Sequence, residues 1–89
     1  MPTGKGDAMK ARVFVTLKTG VLDPQGKAVE QSLGRLGYGD AHDVRVGRYI
    51  ELGIETGNRA EAEKRVDEMC RRLLANPVIE DYRIELSET

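Results

Sequence analysis

Three segments of the chain alternate between apolar and polar residues with the two-residue period of a half-buried β-strand. They span residues 10–18, residues 43–55 and residues 82–86. In the first segment the apolar parity is unbroken, but Phe14 interrupts the polar parity. An aromatic ring on the wet face indicates that this face is covered too, for example by another subunit.

The second segment contains a possible turn at Gly47-Arg48. A two-residue hairpin there would divide the segment into two short strands. The apolar residues nevertheless keep one parity on both sides of the glycine, at Val44, Val46, Ile50, Leu52 and Ile54. We therefore predict one long strand that bends near Gly47.

A first helix is predicted after Gly20. Asp23 suits the N-cap position and Pro24 the first helical position, while Gly37 suits the end of the helix. Apolar residues follow at helical spacing, at Ala28, Val29, Leu33 and Leu36. Two glycines inside this helix, Gly26 and Gly34, lower its propensity and hint at close packing against backbone.

A second helix is predicted from Asn58, which forms a capping-box pattern with Glu61, to Ala75. Asn76-Pro77 ends it. One apolar stripe runs along it, made of Ala62, Val66, Met69, Cys70, Leu73 and Leu74.

The element order β-α-β-α-β predicts a small α+β two-layer sandwich, in which an antiparallel sheet carries both helices on one face. Residues 9–89 would form this single domain, and residues 1–8 a disordered leader or a remnant of cloning. The predicted core consists of Val13, Val15, Leu17, Val29, Leu33, Leu36, Val46, Ile50, Leu52, Val66, Met69, Cys70, Leu73 and Ile84.

Composition sharpens this picture. A chain of 89 residues with 39% apolar residues, no Trp and one Phe has a thin aliphatic core, so we expect self-association to stabilise it. A single cysteine excludes an internal disulfide framework. The short apolar runs exclude a membrane span, and a net charge of −1 argues against a nucleic-acid binder.

No catalytic, cofactor-binding or metal-binding set is predicted from the residues themselves. Residues 20–28 resemble a phosphate loop, but their glycines are one residue too far apart and Ala28 replaces the required hydroxyl. His42 is the only histidine, and we expect it to be solvated. Cys70 lies on the apolar stripe, where packing is the expected role.

Three segments together resemble one known family. They read LKTGVLDPQGKAV, VRVGRYIEL and LLANPVIEDYRIE, in that order. They resemble PurS, the small subunit of the three-part phosphoribosylformylglycinamidine (FGAM) synthase, and the likeness extends from Met9 to Leu86. One departure is Thr19, where the family often has proline.

The resemblance implies a subunit of an ATP-dependent amidoligase in de novo purine biosynthesis, cytoplasmic and without a catalytic site of its own. The glutaminase PurQ would release ammonia, and the synthetase PurL would bind ATP and Mg²⁺. The PurS-like chain would bridge PurL and PurQ and support ammonia transfer. It would form a homodimer or a tetramer, with neither nucleic acid nor membrane as a partner.

Several residues in the three segments are candidates for subunit contacts. Arginines suit bidentate contacts with carboxylates, although Arg45 and Arg48 could equally be solvated. Local roles also explain Asp23 as a helix cap and Asn76 as a helix stop. The candidates are Lys18, Asp23, Gln25, Arg45, Arg48, Tyr49, Asn76 and Glu80.

Two other classes of function stay open at this point. Small-molecule sensor domains of the ACT or ferredoxin-like type are also small, dimeric α+β folds. An RNA-binding α+β domain ranks last, because no strand carries a paired aromatic stacking motif.

Overall fold

A computed structural model describes residues 8–88. The predicted leader therefore lies outside the described residues, apart from Ala8. A π-helical turn, Cys70–Leu74, continues the second helix directly. The other elements are β1 (Met9–Leu17), α1 (Pro24–Arg35), β2 (Arg48–Ile54), α2 (Arg59–Met69) and β3 (Glu80–Glu88). No helix within residues 8–88 has both the length and the apolar content needed to cross a membrane.

The three strands form one antiparallel sheet in the order β2-β1-β3, which confirms the α+β class. The first strand is the central one, and its Val13 lies opposite Ile50 on one side and Ile84 on the other. Because β1 has a neighbour on both edges, its inward side chains are the most buried of the sheet. Met9, Ala11, Val13 and Val15 are all 2% exposed or less.

The opposite face of the sheet carries Phe14, and the chain covers this ring itself. The ring centroids of Phe14 and Tyr49 lie 5.1 Å apart. The guanidinium carbon of Arg83 lies 4.2 Å from the Phe14 ring centroid, which is a cation–π contact. Phe14 is thus half-buried without a second subunit, while Tyr49 stays half exposed.

The second helix packs on the inward face of the sheet, against β3 and β1. Its buried residues Ala62, Val66 and Cys70 recur every four positions, but the next buried residue is Ala75, five positions on. The Ala75 N–H donates to the Cys70 carbonyl at 2.9 Å, which widens the last turn into a π-helix. The prediction that Leu73 belongs to the core is wrong, since the π-turn leaves this side chain 82% exposed.

The first helix begins and ends as predicted, with the Asp23 side chain accepting from the Gly26 N–H and with Gly37 at a φ of +100°. It contributes none of the buried hydrophobic residues, because α2 provides the helical side of the core. Val29 is 43% exposed and Leu36 is 73% exposed, so the prediction that they are core residues is wrong.

The second strand is shorter than predicted. It begins at Arg48, and residues 44–47 have no strand partner, so neither the long bent strand nor a hairpin at Gly47 is present. The reason is that side chains bind this backbone instead. The Val44 N–H donates to Glu30 at 3.4 Å and the Val46 N–H donates to Asp23 at 3.0 Å.

The remaining predicted core divides into two groups. Val13, Val15, Val66 and Cys70 are fully buried. A second group is only partly buried, namely Leu17, Leu33, Val46, Ile50, Leu52, Met69 and Ile84. The apolar core is therefore narrow and follows β1, as the composition suggested.

The exposures of Val66 and Leu73 predict opposite outcomes for two truncations in one helical segment. Val66→Ala should lower the free energy of unfolding by about 2 kcal/mol, because it leaves a cavity beside β1. Leu73→Ala should change it by less than about 0.5 kcal/mol. Urea unfolding followed by circular dichroism measures both, and a larger loss for Leu73→Ala would contradict the π-turn.

Candidate functional site

Most of the candidate residues meet at one end of the sheet. Lys18 follows directly after β1, Arg48 is the first residue of β2 and Glu80 is the first residue of β3. In an antiparallel sheet the end of the central strand lies beside the beginnings of both neighbours. This topology gathers residues that are as far apart in sequence as Leu17 and Glu80, which are cross-strand partners, into one region.

The first group in this region, the Asp23 cluster, consists of Asp23, Gly26, Arg45 and Val46. One carboxylate oxygen of Asp23 accepts from the Gly26 N–H at 2.9 Å, and the other accepts from the Val46 N–H at 3.0 Å. Arg45 Nε lies 3.7 Å from the same carboxylate, whose side chain is only 9% exposed. The backbone donors at Gly26 and Val46, helped by Arg45, lower the pKa of Asp23 below its ordinary value.

Arg45 joins the Asp23 cluster to the sheet. Its guanidinium donates to the carbonyl oxygens of Leu17 and Lys18, at the end of β1. The start of α1, the segment before β2 and the last residues of β1 are therefore fixed relative to one another.

Gly26 is required where α1 meets the segment before β2. A Cβ at this position would lie 2.3 Å from the Val44 carbonyl oxygen, which is closer than real contacts allow. The expected close packing against backbone is thus found at Gly26. It is absent at Gly34, where a Cβ would have no neighbour within 4 Å.

The second group, the Glu80 cluster, consists of Arg48, Leu74, Asn76 and Glu80. Arg48 binds the Glu80 carboxylate through both terminal nitrogens, at 2.9 and 3.2 Å, and also donates to the Leu74 carbonyl. The Asn76 N–H donates to Glu80 at 2.7 Å. This backbone donor and then Arg48 lower the pKa of Glu80, whose side chain is 14% exposed.

Two contacts in this region involve residues that sequence reasoning did not select. Lys18 Nζ lies 2.8 Å from Asp81, and Glu30 accepts from Val44 across the base of α1. Neither acidic residue has a partner within one helical turn in sequence. No local pattern could have identified them.

Gln25 and Tyr49 lie outside the two clusters. Gln25 is exposed and lines an open cleft of about 300 Å³ that lies between the Asp23 cluster and the Glu80 cluster. Tyr49 belongs to the opposite face of the sheet, where its hydroxyl donates to Glu51 at 2.5 Å. That hydrogen bond to a carboxylate raises the pKa of Tyr49.

The charged groups of this region hold the backbone of neighbouring segments in place. Each oxygen of both central carboxylates accepts at least one hydrogen bond, and both groups have lowered pKa values, so they act as anionic acceptors rather than as proton donors. Burial raises the pKa of the Cys70 thiol, which keeps it protonated. Among residues 8–88, no group of three His, Cys, Asp or Glu side chains could bind a metal ion.

The two glycines of α1 provide a matched pair of alanine substitutions. Gly34→Ala should raise the free energy of unfolding by up to about 1 kcal/mol, because alanine favours the helix and has free space there. Gly26→Ala should lower it, because the methyl group would displace the Val44 carbonyl. Chemical denaturation of both variants tests this, and equal effects would contradict the close approach at Gly26.

The Asp23 cluster predicts a specific dependence of stability on pH. A carboxylate with a lowered pKa stabilises the fold above its ordinary pKa, and this contribution is lost as the pH falls through the lowered pKa. Asp23→Asn should therefore unfold more easily at neutral pH but lose less stability than the parent between pH about 5 and about 3.

Urea denaturation across that pH range measures the effect. The matched control is Asp40→Asn, at an exposed loop position. If both variants kept the pH dependence of the parent, the role of the Asp23 carboxylate would be refuted.

Comparison with known proteins assigns this chain to a family. Residues 10–88 match the family model described as PurS, phosphoribosylformylglycinamidine (FGAM) synthase. The chain is 52% identical over 79 residues to the phosphoribosylformylglycinamidine synthase subunit PurS of Bacillus subtilis, covering 89% of this chain and 93% of that protein.

Solved structures agree with the sequence match. The crystal structure of B. subtilis PurS in its C2 form has a TM-score of 0.77 and 51% identity, and the match covers 90% of this chain and 99% of that one. A chain in the structure of PurLQS from Thermotoga maritima has a TM-score of 0.81 and 30% identity, over 98% and 100% of the two chains. The chain belongs to the PurS family and is a subunit of FGAM synthase.

Proposed function

We propose that this chain is the non-catalytic subunit that bridges the synthetase PurL and the glutaminase PurQ and so supports the transfer of ammonia between them. The observation that carries the proposal is that residues 10–88 match the PurS family model and that the chain is 52% identical to the B. subtilis subunit PurS over 93% of that protein. The carboxylates of the Asp23 and Glu80 clusters are committed to the fold. ATP and Mg²⁺ would bind to PurL, and the assembly would be cytoplasmic.

Ammonia chemistry explains why such a subunit is useful. Ammonia released into water at neutral pH is mostly protonated, and ammonium has no lone pair with which to attack a carbon centre. A small subunit can fix the distance and orientation of two active sites. It therefore increases the fraction of ammonia that reacts, although it does not contact the reacting atoms. The match to PurS does not favour the alternative of an ACT or ferredoxin-like sensor domain.

Self-association would complete the fold. The first helix and its C-cap present an apolar stripe, in which Val29 and Leu36 are exposed and Leu33 is only partly buried by its own chain. The inward face of β2 is likewise only partly buried, at Ile50 and Leu52, since α2 packs against β3 and β1. We infer that a second copy of the chain covers these apolar surfaces.

A three-subunit assay tests the bridging role. Omitting this chain from a mixture with PurL and PurQ should lower turnover with glutamine at least several-fold, because ammonia is then lost to solvent. Turnover with added ammonium salt should change much less, because PurL keeps its own active site. Unchanged glutamine-dependent turnover without this chain would refute the proposal.

The α1 stripe predicts a variant that dissociates. Val29→Glu should shift the oligomer toward monomer in light scattering coupled to size exclusion, because it places a charge in an apolar contact. Gln31→Glu adds the same charge at an exposed position on the other side of the helix and should leave the mass unchanged. Equal masses for both variants would exclude the α1 stripe from the self-association surface.

A further inference from the structure

The inward face of β2 is the part of the sheet that its own helices leave uncovered. A helix is about 10 Å wide and neighbouring strands lie about 4.8 Å apart, so one helix covers about two strands. Within residues 8–88, α2 has extended contacts with β1 and β3, whereas no helix has extended contacts with β2. Ile50 and Leu52 are consequently only partly buried. A second helix above β2 would complete the layer.

The first helix has the length and the polarity that this position requires. It has 12 residues and β2 has 7, which correspond to lengths of about 18 Å and about 23 Å. Val29, Leu33 and Leu36 lie on one side of it, at intervals of four and three residues. Lys27 and Arg35 are two positions from Val29 and Leu33, a spacing that does not place side chains on the same side of a helix.

The direction of α1 is fixed so that the stripe does not reach its own sheet. Asp23 accepts from Gly26 in α1 and from Val46 in the segment before β2. Arg45 links this segment to the Leu17 carbonyl at the end of β1. Within the described residues, α1 has no extended contact with any strand. A rotation of α1 onto its own β2 would break these hydrogen bonds.

The geometry points to an exchange of helices between two copies of the chain, in which α1 of each copy packs its apolar stripe on the inward face of β2 in the other copy. A twofold axis makes the two contacts equivalent, so each copy provides one helix and receives one. Each sheet then carries two helices on one face, and the second of them belongs to the partner. This inference rests on the self-association that forms part of the proposed function.

Other arrangements of two copies bury these surfaces less completely. A contact between two α1 helices would leave the β2 faces uncovered, and a contact between two β2 faces would leave the α1 stripes exposed. Burying both by contacts of like with like needs two separate interfaces. Exchange buries both surfaces in one kind of contact.

Two complementary charge variants test the exchange. Val29→Glu and Leu52→Lys each place a charge in the contact, so each chain alone should shift toward the monomer mass in light scattering coupled to size exclusion. When the two chains are refolded together, the opposite charges meet in one contact of the mixed pair and the parent residues meet in the other. The mass should therefore return to that of the parent. If both variants are folded by circular dichroism and the mixture stays monomeric, the exchange is refuted.

Disulfide cross-linking tests the same contact without introducing a charge. Chains with Val29→Cys and chains with Leu52→Cys carry different tags, are refolded together and are oxidised. A non-reducing gel should show a shift to the mass of two chains, in a product that carries both tags. The matched control is Gln31→Cys, on the other side of α1, which should not link to Leu52→Cys. The native Cys70 is buried, so the parent chain should not link.

Two results of the cross-linking would overturn the inference. One is a double variant, Val29→Cys with Leu52→Cys, that forms its disulfide within a single chain, because α1 would then cover its own sheet. The other is Val29→Cys chains that link only to each other.

The three-subunit assay separates this inference from the bridging role. If the mixed disulfide does not form but omission of the chain still lowers glutamine-dependent turnover, the exchange fails and the proposed function stands. If omission has no effect, the proposed function fails, whereas the mixed disulfide still reports whether the helices are exchanged.

Discussion

The carboxylate of Asp23 is the contact on which the arrangement of this small domain most depends. The first helix contributes no buried apolar side chain to the core, so hydrophobic packing does little to set its direction. Its orientation is set by one side chain that accepts from Gly26 and Val46, and by Arg45, which links both to the end of β1. A single carboxylate, whose side chain is 9% exposed, thereby substitutes for the layer of packed side chains that a larger protein would use.

The apolar residues of the domain fall into two groups, one inside the core and one exposed at the surface. The inward face of β1 and one side of α2 form a closed core, with Cys70 as an unreactive member. The apolar residues of α1, and Leu73 of the π-turn, lie outside it. In a chain of 89 residues this is a large share of the hydrophobic surface, and it is typical of a protein whose final burial occurs in an assembly.

Local signals in the sequence predicted most of the fold, and contacts between distant residues account for the errors. The alternation in β1 and the Asp23-Pro24 cap act over a few residues, so the sequence alone was sufficient for both. The second hydrogen bond of Asp23 goes to Val46, 23 positions away, and it removes residues 44–47 from the sheet. Helical periodicity likewise assigned Leu73 to the core, because it assumes a constant turn and cannot anticipate a π-turn. The sequence offered Arg48, Asn76 and Glu80 as candidates for subunit contacts, but the contacts that they make with one another follow from the topology, which joins distant residues.

The position of β1 at the centre of the sheet has a consequence for how the newly synthesised chain folds. The strand β1 precedes its two neighbours in the chain, and its register pairs Met9 with Ile54 of β2 on one edge and with Glu88 of β3 on the other. Pairings between such distant residues slow folding, because a long loop must close before they form. The sheet can be completed only when the last strand is free, so a partly synthesised chain lacks a finished fold to offer to its partners.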